Sequence, residues 1–189
     1  MKTKLLMLTV AMSCVFAGSA MAMTKAEYKT QKDQISADYK VNRDKCGTLK
    51  ANAKDICVSE AKGTEKIAKA ELEAQYKPSA KNTRDVAMAK ADAAYSTAKE
   101  KCDDLAGNAK DVCVKDAKAA HVKAKEDAKL VKASADTSKE KAEKMSEVKK
   151  DASAEKREAD YKAAKERCDS LAGTAKDTCV NDAKAKFGM

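Results

Sequence analysis

The sequence predicts an all-α protein: three antiparallel helical hairpins, each closed by a disulfide near its turn, elongated or loosely bundled in a coiled-coil-like way. Three observations predict it. Ala, Lys, Asp and Glu dominate a chain with no Trp, two Phe and one Pro, and Ala, Lys and Glu are strong helix formers. A segment of about 24 residues recurs three times, at Tyr39, Tyr95 and Tyr161. Each copy carries two cysteines at the same spacing, with a helix-start signal between them and, in the second and third, a helix-stop glycine before it.

Residues 1–22 read as a cleavable signal peptide. Lys2 and Lys4 make a positive start, Leu5 to Ala17 an apolar run, and Ala20-Met21-Ala22 a small-residue cleavage site. The apolar run is shorter than the roughly 20 residues that span a bilayer. Cleavage would leave Met23 as the first residue. Cys14 lies within the apolar run and lacks the preceding Leu of a lipidation site, so it reads as one more apolar residue. The expectation is a bacterial protein, periplasmic or secreted, with no transmembrane segment in its mature chain. Loss of Lys2 and Lys4 lowers the formal charge from +9 to +7.

The three copies read YKVNRDKCGTLKANAKDICVSEAK, YSTAKEKCDDLAGNAKDVCVKDAK and YKAAKERCDSLAGTAKDTCVNDAK. Were each one unbroken helix, its cysteines would stand about 16 Å apart along the axis, whereas a disulfide needs Cα atoms within about 7 Å. Either the cysteines do not pair locally or the chain folds back between them. The residues between favour folding back. Gly107 and Gly173 suit the left-handed residue after a helix end. Asn108 and Thr174 are N-cap types, with Asp111 and Asp177 three residues on in an acidic first turn. In the first copy Ala51 replaces the glycine while Asn52 and Asp55 keep the restart, which predicts a looser or shifted turn. Expected disulfides are Cys46–Cys57, Cys102–Cys113 and Cys168–Cys179, each contributing about 2–3 kcal/mol by shortening the unfolded chain's loop. Tyr95, Cys102 and Leu105 share a helix face and read as hairpin seam.

Between the cysteine segments lie two unlike connectors. Lys77-Pro78-Ser79 followed by Asn82-Thr83 ends one helix and lets Thr83 cap the next. The stretch from Cys113 to Cys168 has neither Pro nor Gly; Ser134 to Ser138 is its weakest helical point. It accommodates a turn or one long helix with a soft middle, and a break or kink is slightly preferred. The resulting division is 1–22 signal, 23–77 first hairpin, 78–83 linker, 84–135 second hairpin and 136–189 third hairpin.

Signs of catalysis are sparse. His121 is the single histidine and reads as a surface residue. The cysteine spacing does not match zinc ligation, and haem, phosphate-loop and nucleophile-elbow motifs are missing. The expectation is no enzyme, no cofactor and no metal. Interspersed acids and the shortage of aromatic stacking residues argue against nucleic acid, while a basic chain outside the cytoplasm suits anionic lipid head groups or envelope polysaccharides.

The segments AKGTEKIAKAELEAQYKPSAK and AKAAHVKAKEDAKLVKAS resemble the helical stalk of the cell-envelope protein TolA. The cysteine repeats resemble small exported bacterial proteins labelled TolA-like. TolA keeps an uncleaved anchor and a globular C-terminal domain. Here the signal reads as cleavable and the sequence runs out at Phe187-Gly188-Met189, so TolA's force-transmitting role is not carried over. The resemblance implies a structural or interaction protein of the envelope, whose partner is an envelope protein or anionic polymer. A second likeness, to late-embryogenesis-abundant stress proteins, implies a protective or chaperone-like binder of clients or membranes. The oligomeric state is left open.

Overall fold

A computed structural model describes residues 23–134 and 139–189; the signal segment 1–22, Cys14 and most of the 134–138 break lie outside them. Six helices follow one another: α1 Lys25–Lys45, α2 Ala51–Tyr76, α3 Ala80–Cys102, α4 Gly107–Ser134, α5 Lys139–Cys168 and α6 Gly173–Phe187, with a single 3-10 turn at Cys46–Thr48. Among the described residues each helix packs only on its neighbours in sequence. The result is a serpentine row, one helix thick, rather than a closed bundle.

Local chemistry sets the helix ends. Thr24 and Glu27 form a capping box at the start of α1: the Thr24 hydroxyl accepts from the Glu27 N–H at 3.2 Å, and the Glu27 carboxylate accepts from the Thr24 N–H at 2.7 Å. The loop between α2 and α3 is only Lys77–Ser79, shorter than the expected 78–83 linker. The N-cap of α3 is Ser79, whose hydroxyl accepts from the Asn82 N–H at 3.1 Å. Thr83, expected to cap, lies one turn inside the helix and donates its hydroxyl to the Ser79 carbonyl.

The fully buried positions of the seams hold little but alanine and cystine, with half-buried Ile35, Tyr39, Ile67 and Val122 beside them. Buried apolar residues are Ala61, Ala91, Ala93, Ala119, Ala128, Ala152, Ala163 and Ala183, one cysteine of each pair, and Leu72 as the single large aliphatic. Small side chains bring backbones close: a Cβ added to Gly63 in α2 would stand 2.8 Å from the Ala93 Cβ in α3. Polar links fix the register. Ser59 meets Thr97 at 3.3 Å between α2 and α3, and Lys90 pairs with Glu71 at 2.7 Å. Between α4 and α5, Lys115–Glu166, Lys123–Asp160 and Lys156–Asp127 run in opposite chain directions. The two helices are therefore antiparallel, and the chain reverses between Ser134 and Lys139. Of the two readings for this stretch, two helices is the one found.

Because every connection reverses the chain, the three cysteine turns lie at the same end of the row. Asn52 donates its amide to the Glu100 carbonyl at 2.7 Å, tying the first turn to the end of α3. Arg167 and Asp116 tie the third turn to the start of α4. The third hairpin is lopsided, with 30 residues in α5 and 15 in α6. Beyond the reach of α6 the corresponding face of α5 carries Glu147, Lys150, Ala154 and Arg157, all exposed, so the missing half-helix leaves a solvated face and not an apolar gap.

Candidate functional site

The three cysteine turns are the most distinctive chemistry in the chain, and they share one geometry. The disulfides Cys46–Cys57, Cys102–Cys113 and Cys168–Cys179 have Cα–Cα distances of 5.6, 5.6 and 5.8 Å. After the first cysteine the chain makes one tight turn, with Leu49, Leu105 and Leu171 donating their N–H to the carbonyls of Cys46, Cys102 and Cys168. It then runs extended through Lys50 and Ala172 in the first and third copies. A left-handed residue follows in all three: Ala51 at φ 47°, Gly107 at 56° and Gly173 at 57°. The first turn is thus neither looser nor shifted. Ala51 is forced into the glycine conformation because the disulfide and the flanking helices determine the path.

Those glycines open the second helix instead of closing the first. Asn52, Asn108 and Thr174 consequently lie inside the helix; α2 and α6 start from Lys50 and Ala172 with no side-chain cap. Asp55, Asp111 and Asp177 fall beyond the first turn, which holds no acid in any copy. The expected caps and acidic starts are corrected on this point: the N-terminal helix dipole is met by no acid there. A cross-turn ion pair takes over, Lys110–Asp103 and Lys176–Asp169, both at 2.9 Å. The hydrogen bond from Lys176 holds the Asp169 carboxyl below the usual carboxylate range, and Asp169 in turn raises Lys176. The first copy has Gly47 where the others have this aspartate.

Two other residues sit elsewhere than their sequence suggested. Leu105 is not part of the seam: Leu49, Leu105 and Leu171 are 41%, 44% and 43% exposed on the turns, past the end of the helix that would have turned them inward. His121 is not a surface residue either. Its side chain is 16% exposed, stacked on Tyr95 with ring centroids 4.5 Å apart and bonded to Asp92 at 2.6 Å. The stack on the seam tyrosine holds the histidine between α3 and α4; its eight-residue offset from Cys113, against Tyr95 seven before Cys102, was the available clue. At the open end of the first hairpin Tyr28 stacks on Tyr76 and donates its hydroxyl to Glu73 at 2.7 Å.

Ligand chemistry is thin on these helices. Among the described residues no three His, Cys, Asp or Glu side chains converge as a metal site, and the one buried carboxylate, Glu126 at 3% exposure, is paired with Lys129 at 2.6 Å. The grooves run open along the seams, lined by alanine and by lysine–glutamate pairs. No described helix is long and apolar enough to cross a membrane. Compared with known proteins, the chain matches no family model, no curated protein and no solved structure.

Proposed function

We propose that the protein is a non-catalytic structural or interaction protein of the bacterial cell envelope, exported by residues 1–22 and periplasmic or secreted, in the manner of TolA-like proteins. The observation that carries the reading is the row itself. Three stapled hairpins present two long polar faces, and among the described residues no three His, Cys, Asp or Glu side chains converge along them. Alanine seams bury too little surface to hold such a row firmly, so disulfides supply the rigidity, and disulfides persist in oxidising compartments.

Fractionation of cells making the full chain tests the proposal. The expected result is mature protein beginning at Met23, outside the cytoplasm, with no free thiols and one reproducible crosslinked envelope partner. Retention in the cytoplasm with reduced cysteines would overturn it. Suppression of client aggregation by the purified protein, without a fixed partner, would replace it with the stress-protective reading.

A further inference from the structure

The first hairpin carries its charge unevenly. On α1, Lys25, Lys29, Lys32, Lys40 and Arg43 recur at intervals of four, three, eight and three residues. At 100° per residue these share a sector about 80° wide, extending about 27 Å along the axis. All five are exposed. Asp33 and Asp44 stand at the margin of the stripe; Glu27 and Asp38 lie on the other side of the helix, and Glu27 is engaged at the N-cap.

A line of charges on α2 faces the same way: Asp55, Lys62, Lys66 and Glu73 follow one another at helical spacing, so its unpaired cations are Lys62 and Lys66, one turn apart. Glu73 is held ionised chiefly by the Tyr28 hydroxyl, with Lys77 and Lys32 adding to it. That places the Lys32 stripe of α1 and the Glu73 stripe of α2 on one face. On this face Lys25, Lys29, Lys40, Arg43, Lys62 and Lys66 make no ion pair, whereas Lys69 and Lys77 are taken by Glu65 and Glu73. The reverse face is different. Its groove is lined by Asp38, Val41, Lys45 and Thr64, and Glu60 and Glu71 there are paired with Lys101 and Lys90 of α3.

We infer that this face of the first hairpin binds a linear polyanion of the kind an anionic polysaccharide presents, its acidic groups following the α1 stripe and meeting Lys62 and Lys66 of α2 alongside. This rests on reading the chain as an interaction protein. The shape suits a polymer: a long row of exposed cations on α1, flanked by Lys62 and Lys66 of α2, on a layer that curls around nothing. A membrane suits it less, since insertion needs apolar side chains beside the cations. Of the exposed large apolar residues, Val41 lies on the reverse groove and Leu49 on the turn, while Leu105, Val131, Leu171 and Met189 lie later in the chain, outside the first hairpin. A single-stranded nucleic acid would want aromatic faces for its bases, and Tyr28 and Tyr76 are stacked on each other.

Heparin, as a linear polysaccharide probe, tests the inference on the intact mature protein at low salt. One variant combines Lys29→Glu, Lys40→Glu, Lys62→Glu and Lys66→Glu. A control of equal net charge combines Lys149→Glu, Lys150→Glu, Arg157→Glu and Lys165→Glu in the third hairpin, where none of the four makes an ion pair. Wild type should bind, with affinity falling steeply as salt rises. The first variant should lose about tenfold or more and the control less than about threefold, four contacts being removed in one case and only long-range field in the other. Lysine acetylation footprinting of wild type gives a second readout independent of variant folding. Heparin should protect Lys29, Lys40, Lys62 and Lys66 and leave Lys149 and Lys150 reactive. Equal losses in both variants, uniform protection, or binding to phosphatidylglycerol vesicles without binding to heparin would overturn the inference. A wild type that ignores heparin yet still crosslinks to an envelope partner overturns the inference alone and leaves the proposed function standing.

Discussion

Ala51 occupies a left-handed backbone that Gly107 and Gly173 adopt without strain. For an L-residue with a Cβ this conformation costs roughly 1–2 kcal/mol. Ala51→Gly should therefore stabilise the first hairpin by about 1 kcal/mol, and Gly107→Ala should weaken the second by a similar amount. Denaturant melts of the two variants check both signs at once. The neighbouring ion pair makes a pH prediction. Asp169 is lowered by its hydrogen bond from Lys176, so its contribution is present above the unfolded carboxylate pKa and is lost as pH falls through the lowered folded value. Lys176 is raised, so its contribution is full below the unfolded lysine pKa and is lost as pH rises through the raised folded value. Asp169→Asn should flatten the acid limb of stability against pH in the third turn. The first turn, with Gly47 at that position, lacks the pair altogether. The repeat made the equivalence of these positions legible in the sequence. Which residue turns left-handed relative to the helix start was not legible, since stop-then-start residues fit a C-terminal glycine and an opening glycine equally well.

Helix packing turns on contacts that leave almost no trace in the residue pattern. Gly63 sits in the interior of α2, where glycine is unfavourable by about 1 kcal/mol relative to alanine. The cause is Ala93, whose Cβ leaves no room for another. Gly63→Ala should thus lower stability by about 1 kcal/mol despite the better propensity, because overpacking costs about 1–3 kcal/mol. Adding Ala93→Gly should restore most of the loss, measurable by thermal melting. Helix existence and the position of every cysteine turn could be read from composition, repeat and spacing, because those depend on neighbours along the chain. The inward place of His121 left only its offset from Cys113 as a trace, and the outward place of Leu105 left none, since each depends on where a neighbouring helix begins or ends in space. A helical period extended past Cys102 carries Leu105 inward; the actual helix stops at Cys102.

As a whole the molecule behaves as a one-dimensional array. Stability should be close to a sum of hairpin and nearest-seam contributions, and three disulfides at about 3 kcal/mol each weigh heavily against seams of alanine. Reduction should unfold the protein or lower its melting temperature by well over 10 °C, given about 2–4 °C per kcal/mol for a chain this size. Circular dichroism with and without reductant measures it, and retained helicity and melting temperature after full reduction would show that the seams suffice. Solution scattering should give a radius of gyration clearly above the roughly 15 Å of a compact chain of this length. A value at that limit would mean that the row closes on itself.

The order in which the cysteines occur in the row carries a consequence for how the protein is made. The six bonded cysteines permit 15 pairings among themselves, yet each native bond joins two that are consecutive in the chain, 11 residues apart. As the polypeptide emerges, each second cysteine meets its own partner before any later one exists. The first hairpin can close while the third is still unmade, and no closed bond has to be reopened to reach the native set. An oxidant alone is then enough for assembly, and shuffling catalysts have nothing to correct.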